Sequence, residues 1–92
     1  MIAFLQGTVV EKGPDRVVIG VGGTGYEVLV PTQTLARTPP VGRETKLFTR
    51  LQVRDDGMVL FGFTSSEERA MFDHLVTAVS YTHLTLPTIL RV

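Results

Sequence analysis

Glycine-bearing turn clusters cut residues 1–63 into runs too short for independent helices and of the right length for strands. Lys12-Gly13-Pro14-Asp15 and Gly22-Gly23-Thr24-Gly25 are the first two. Asp55-Asp56-Gly57 is the third, an Asp-Gly turn between apolar runs, which is a strong hairpin signal because Gly57 takes positive φ at little steric cost. The intervening segments are rich in branched and aromatic residues. They predict strands over Ile2 to Glu11, Arg16 to Val21, Tyr26 to Val30, Thr45 to Arg54 and Met58 to Phe63. Gly7 inside the first predicts a bulge or a sharp bend. Pro31 ends the third strand, Thr32 to Ala36 reads as one short helical turn with Thr32 as its candidate N-cap, and Arg37 to Gly42 is a loop. Five short strands with regularly spaced turns imply a small closed or partly closed barrel, since closure removes exposed edges.

The period changes after Phe63. Ser65-Ser66-Glu67-Glu68 carries a capping-box pattern, in which the Ser65 hydroxyl accepts from the Glu68 amide and Glu68 reaches back. Met71, Phe72, Leu75, Val76 and Val79 then fall at helical spacing, which predicts one amphipathic helix from about Ser66 to Val79. Residues 81–92 are Thr-rich and broken by Pro87, and fit neither period.

With 92 residues the default is one domain. The chain has no cysteine, so disulfides, thiolate zinc sites and cysteine nucleophiles are excluded, and a reducing cytoplasm suits it. Lys and Arg total 9 and Asp and Glu total 9, so a general nucleic-acid binder's electrostatic footprint is missing. No apolar run is long enough to span a membrane, and no basic region precedes the apolar residues at the N-terminus as a secretory signal requires.

Gly20-Val21-Gly22-Gly23-Thr24-Gly25 matches the dinucleotide fingerprint in letters. That fingerprint works by aiming a helix N-terminus at pyrophosphate, whereas Tyr26 to Val30 continues as a strand, so it reads as a hairpin turn. Asp55 and Asp56 are chemically suited to acid–base work or metal ligation. Neighbouring strand residues point to opposite faces, however, so the pair reads on residue chemistry alone as solvated turn charge. His74 and His83 have neither a cysteine nor a spaced acid to complete a zinc set or a triad. Arg43, Lys46, Arg50 and Arg54 recur along the fourth strand region, either as a phosphate-facing row or as scattered surface charge. No catalytic constellation emerges.

Several motifs together resemble one family. They are Met1-Ile2-x-x-Leu5-x-Gly7, Val21-Gly22-Gly23-x-Gly25-Tyr26-Glu27-Val28, Val53-Arg54-Asp55-Asp56, Leu60-Phe61-Gly62-Phe63 and Glu67-Glu68-Arg69-x-x-Phe72. In order and spacing they are similar to the RuvA family of Holliday junction branch-migration proteins, from Met1 to about Ser80. The resemblance implies an OB-fold domain over residues 1–64 and the first helix of a helix-hairpin-helix domain over residues 65–80. It implies a cytoplasmic homotetramer, with no membrane association, that holds four-way junction DNA open and flat. It further implies partnership with RuvB, the ATP-driven motor, in homologous recombination, DNA repair and the SOS response. ATP belongs to RuvB, and no cofactor or bond chemistry is expected of this chain, a non-catalytic subunit of a helicase complex. The family's acidic pin carries over to Asp55 and Asp56, with Arg54 beside them as a DNA-facing basic residue. In an assembly, converging carboxylates would lie well within a Debye length of about 8–10 Å from the crossover phosphates.

The departure from the pattern comes after the helix. The family continues into a Gly-Val-Gly-Pro type turn whose amides grip phosphate. Here Ser80 leads into Tyr81-Thr82-His83-Leu84, with no glycine beyond Gly62. The expectation is that the native frame stops near Val79 or Ser80 and that residues 81–92 are a non-native tail. The competing reading is an OB-fold module for single-stranded nucleic acid or a protein partner. It needs stacking aromatics beside a basic groove, for which Phe48 and Phe61 are the candidates against a neutral charge balance.

Overall fold

Alternating apolar positions of the first three strands supply most of the core. Leu5 and Val9 of β1 (Phe4–Lys12), Val17 and Ile19 of β2 (Arg16–Val21) and Val28 of β3 (Thr24–Leu29) are all buried. Leu47 of β4 (Glu44–Arg54), Leu60 of β5 (Gly57–Phe63) and Val30 complete it. The computed structural model describes residues 2–83. Its strands run in the order β1-β2-β3-β5-β4 and close on themselves. Neighbours are antiparallel except β3 and β5, which pair in parallel through Val28↔Leu60 and Leu29↔Phe61 after the chain has passed through α1 (Thr32–Arg37) and β4. The expected mainly-β, five-stranded OB-fold barrel is therefore present, and α2 (Ser66–His83) follows it.

Two glycines permit the closure. A Cβ on Gly7 would sit 2.2 Å from the Gly20 carbonyl oxygen, where β1 passes from its pairing with β4 to its pairing with β2. A Cβ on Gly62 would lie 2.5 Å from Val28 Cγ1, across the parallel seam. The bulge expected at Gly7 is found further on, between Val9 and Glu11, and Gly7 instead serves close backbone approach. Gly22 and Gly23 form the two-residue β2–β3 turn with φ of 56° and 85°, the handedness that matches strand twist. Gly20 and Gly25 face each other in that ladder, so the fingerprint is a hairpin and opens no helix.

Three local expectations need correction. The N-cap of α1 is Pro31, with no side-chain cap, and Thr32 is the first helical residue. At the other end Thr38 donates its hydroxyl to the carbonyl of Thr34, four residues back, at 2.8 Å and closes the helix. The α2 helix also runs past Val79 to His83, so residues 81–83, expected to be irregular, are helical; residues 84–92 of the expected tail lie outside the described residues. Finally, the capping box is only half as expected. The Glu68 amide donates to Ser65 Oγ at 3.1 Å, but the Glu68 carboxylate turns to the Thr64 hydroxyl.

The Thr64 hydroxyl bond holds the Glu68 carboxyl below its ordinary value of 4.5. Partial burial opposes that shift, and Arg37, with Nη1 3.9 Å from Glu68 Oε2, assists it. A depressed folded-state pKa stabilises fully above the ordinary carboxylate range, and the contribution is lost as pH falls through the folded value. Thr64→Val is expected to move the Glu68 pKa upward in a carboxyl NMR titration and to reduce acid-side stability loss below about pH 4.5; an unmoved pKa would contradict the assignment. Gly7→Ala is expected to cost about 3 kcal/mol in urea unfolding because backbone must move. Gly13→Ala, whose new Cβ meets only the flexible Arg16 side chain at 3.1 Å, should stay within about 0.5 kcal/mol.

Candidate nucleic-acid interface

The β4–β5 hairpin runs beyond the barrel wall. Its ladder extends from Phe48↔Phe63, through Leu51↔Leu60, to Arg54↔Gly57. Leu60 is buried, whereas every residue from Val53 to Met58 is exposed. Asp55 and Asp56 form the two-residue turn at the end of this arm. Both keep negative φ, and Gly57, at 141°, absorbs the reversal. Among the described residues neither carboxylate takes part in a hydrogen bond or ion pair, and no group of three or more His, Asp or Glu is placed to hold a metal ion. Two adjacent acids on a solvent-exposed turn can repel anions or meet a cationic partner.

The basic row separates into different tasks. Even-numbered positions of β4 face outward, which puts Lys46, Phe48, Arg50, Gln52 and Arg54 on one face. Arg50 grips Asp73 of α2 in a bidentate pair, Nε to Oδ1 at 2.8 Å and Nη2 to Oδ2 at 2.6 Å. Lys46 Nζ lies 4.6 Å from the Phe4 ring centroid and 5.0 Å from that of Phe48. Arg54 Nη2 donates to Gln52 Oε1 at 3.1 Å, and its guanidinium carbon is 5.9 Å from the Phe61 ring. Only Arg54 of the three stands beside the acids, and its own head remains exposed. Arg43 is exposed and precedes the strand.

The other end of the arm is clamped by α2. Phe72 packs on Phe61 and Phe63, with centroids 4.9 and 5.1 Å apart. Arg69 Nη1 donates to the Ala3 carbonyl at 2.6 Å and its guanidinium carbon lies 5.5 Å from the Phe48 ring. These contacts were not visible in the sequence, because they join residues far apart in the chain. They also answer the stacking question: Phe61 is packed on α2, and Phe48 is covered by Lys46 and Arg69. His74 is exposed on α2, and His83 is its last residue. The arm is thus an acid-tipped ribbon whose base is fixed from two sides.

Comparison with known proteins gives one answer. Residues 1–62 match the family described as RuvA N terminal domain. A Rubrobacter xylanophilus protein named Holliday junction branch migration complex subunit RuvA is 50% identical over 80 residues, covering 87% of this chain and 40% of that protein. Proteins of the same name from Neisseria meningitidis serogroup C and Solibacter usitatus are 49% and 42% identical over 76 and 77 residues, covering 83% and 84% of the chain and 39% of each relative. The chain therefore spans about two fifths of the length of these relatives.

Asp73→Ala tests the clamp. With its side chains 29% and 40% exposed, the Arg50–Asp73 pair is screened, so a loss of about 1 kcal/mol is expected. Amide exchange in α2 should quicken while β1, β2 and β3 keep their protection. Uniform quickening through the barrel would contradict a local clamp.

Proposed function

The chain belongs to the RuvA family through its N-terminal domain, and on that premise we propose that it is the barrel domain of a non-catalytic subunit that binds four-way DNA junctions. The single observation that carries this reading is the acid-tipped arm: Asp55 and Asp56 unpaired at the end of a clamped hairpin. Fixed negative charge at a crossover pushes phosphates apart, which disfavours the stacked, folded junction and favours the open, flat one.

The magnitude says how many copies this needs. A carboxylate about 8 Å from a phosphate in water repels it by ~0.5 kcal/mol, less than RT. One tip does little; several tips converging on one crossover add to an effect that changes the junction's shape. This supports a homotetramer as the working form. Arg54, with its exposed guanidinium oriented by Gln52 and Phe61, is the residue that would take a phosphate beside the tip. Residues 65–80 then open a helix-hairpin-helix domain that supplies the sequence-independent phosphate grip, and the exposed Met71 and Leu75 on α2 suit packing against such an addition. ATP hydrolysis falls to the RuvB motor, and the setting is cytoplasmic recombination, repair and the SOS response.

The test uses a full-length family member carrying residues 1–80 of this chain in place of its own. Asp55→Asn with Asp56→Asn should leave thermal stability and junction affinity within about twofold while lowering the open-junction population read by energy transfer between DNA arms. Loss of folding would make the pair structural, and an unchanged open population would remove the acids from the mechanism. The 92-residue chain by itself should bind the junction weakly. Submicromolar affinity at ~150 mM salt would contradict an account in which the phosphate grip lies elsewhere.

A further inference from the structure

The apolar side chains of the arm do not stop where the barrel does. Odd-numbered positions of β4 face inward, so Leu51 and its partner Leu60 lie on the core face of the hairpin. The next pair on that face is Val53↔Met58, and both residues stand in solvent, 72% and 69% exposed. The core stripe therefore runs out past the barrel mouth and ends one step below Asp55 and Asp56. The opposite face of the same ribbon carries Gln52 and Arg54. One side is polar and cationic, the other is neutral and apolar, and the tip between them is anionic.

We propose that Val53 and Met58 form a nucleobase contact, seated against the faces of bases left unpaired where duplex arms part. The proposal rests on the junction-binding reading above. The charge order on the ribbon selects the occupant. The two carboxylates keep phosphate away from the end of the arm, and Arg54 takes backbone on the far face. What DNA then presents to the Val53–Met58 face is the one neutral, apolar surface it has, the flat face of a base. That surface is buried in a stacked duplex and exposed only where strands separate. Aliphatic side chains, Met among them, serve as wedges of this kind at unstacked base steps. Directly opposed strand residues have Cβ atoms about 5 Å apart, so the two side chains form one continuous patch of a size comparable to a base. The acids would thus open the crossover, and the apolar pair would hold what has opened.

The same full-length protein bearing residues 1–80 of this chain tests it, with a synthetic four-way junction carrying 2-aminopurine at the crossover. Binding should raise crossover fluorescence, and 2-aminopurine placed mid-arm should stay dark. Val53→Thr with Met58→Gln keeps shape and strand propensity but removes the apolar surface; it should cut the crossover rise about fivefold. Val53→Ile with Met58→Leu should preserve the rise. Junction-over-duplex preference of the unsubstituted protein, read in gel shifts, checks the junction-binding reading separately. No rise in the unsubstituted protein, or a full rise in the Thr/Gln variant, overturns the proposal while the junction-binding reading stands. A Thr/Gln variant that changes the assembly's mass without DNA overturns it in favour of contact between copies of the chain. Absence of junction preference in the unsubstituted protein overturns that reading and this proposal together.

Discussion

The register of β4 on β5 is the constraint that the rest of the molecule depends on. Setting Leu51 opposite Leu60 turns both toward the core, and every other placement on the hairpin follows from that pair. Because side chains alternate along a strand, a slip of one residue would expose the core pair and bury Arg50 and Gln52. It would also move Asp55 and Asp56 off the tip. Two features hold the register from outside the ladder. The parallel seam with β3 fixes β5 at Leu60 and Phe61, with Gly62 allowing Val28 to approach. The outward face is locked to α2 through Arg50–Asp73 and Phe61–Phe72.

Short-range chemistry made most of the architecture legible from the residues alone. Gly22-Gly23 and Asp55-Asp56-Gly57 sit at tight turns because positive φ is cheap only for glycine, and Ser65 caps α2 as its spacing to Glu68 suggests. What escaped notice depends on groups brought together by the fold. Gly7 is required by the Gly20 carbonyl, not by a bulge, and the bulge appears at the next convenient place, around Val10. The row of basic residues looked uniform along the strand, yet Lys46 covers two rings, Arg50 grips a helix and Arg54 alone flanks the acids. Nothing within a few positions of Arg50 announces Asp73. The exposure of Val53 and Met58 was equally hidden, since the pattern that buries Leu51 and Leu60 continues unchanged through them.

Electrostatics and shape divide the work in this account. A chain with 9 basic and 9 acidic residues has no general pull on DNA, so its contribution lies in where the charges are placed. Two acids are held at the end of a ribbon whose base is clamped on both faces. A loose hairpin would let those charges shift, whereas the contacts with α2 hold the base of the arm in place. The helix that clamps the arm follows β5 directly in the chain, so on the proposed reading it would link placement of the tip to the phosphate grip beyond it.

The central claim is that this barrel presents its acid-tipped arm to branched DNA. Competition gel shifts with the full-length protein bearing residues 1–80 of this chain test it most directly, using labelled four-way junction against unlabelled single strand and linear duplex at ~150 mM salt. The account predicts that the junction is retained at large excess of either competitor. Displacement by single strands at equal concentration would contradict it and assign the barrel to single-stranded nucleic acid.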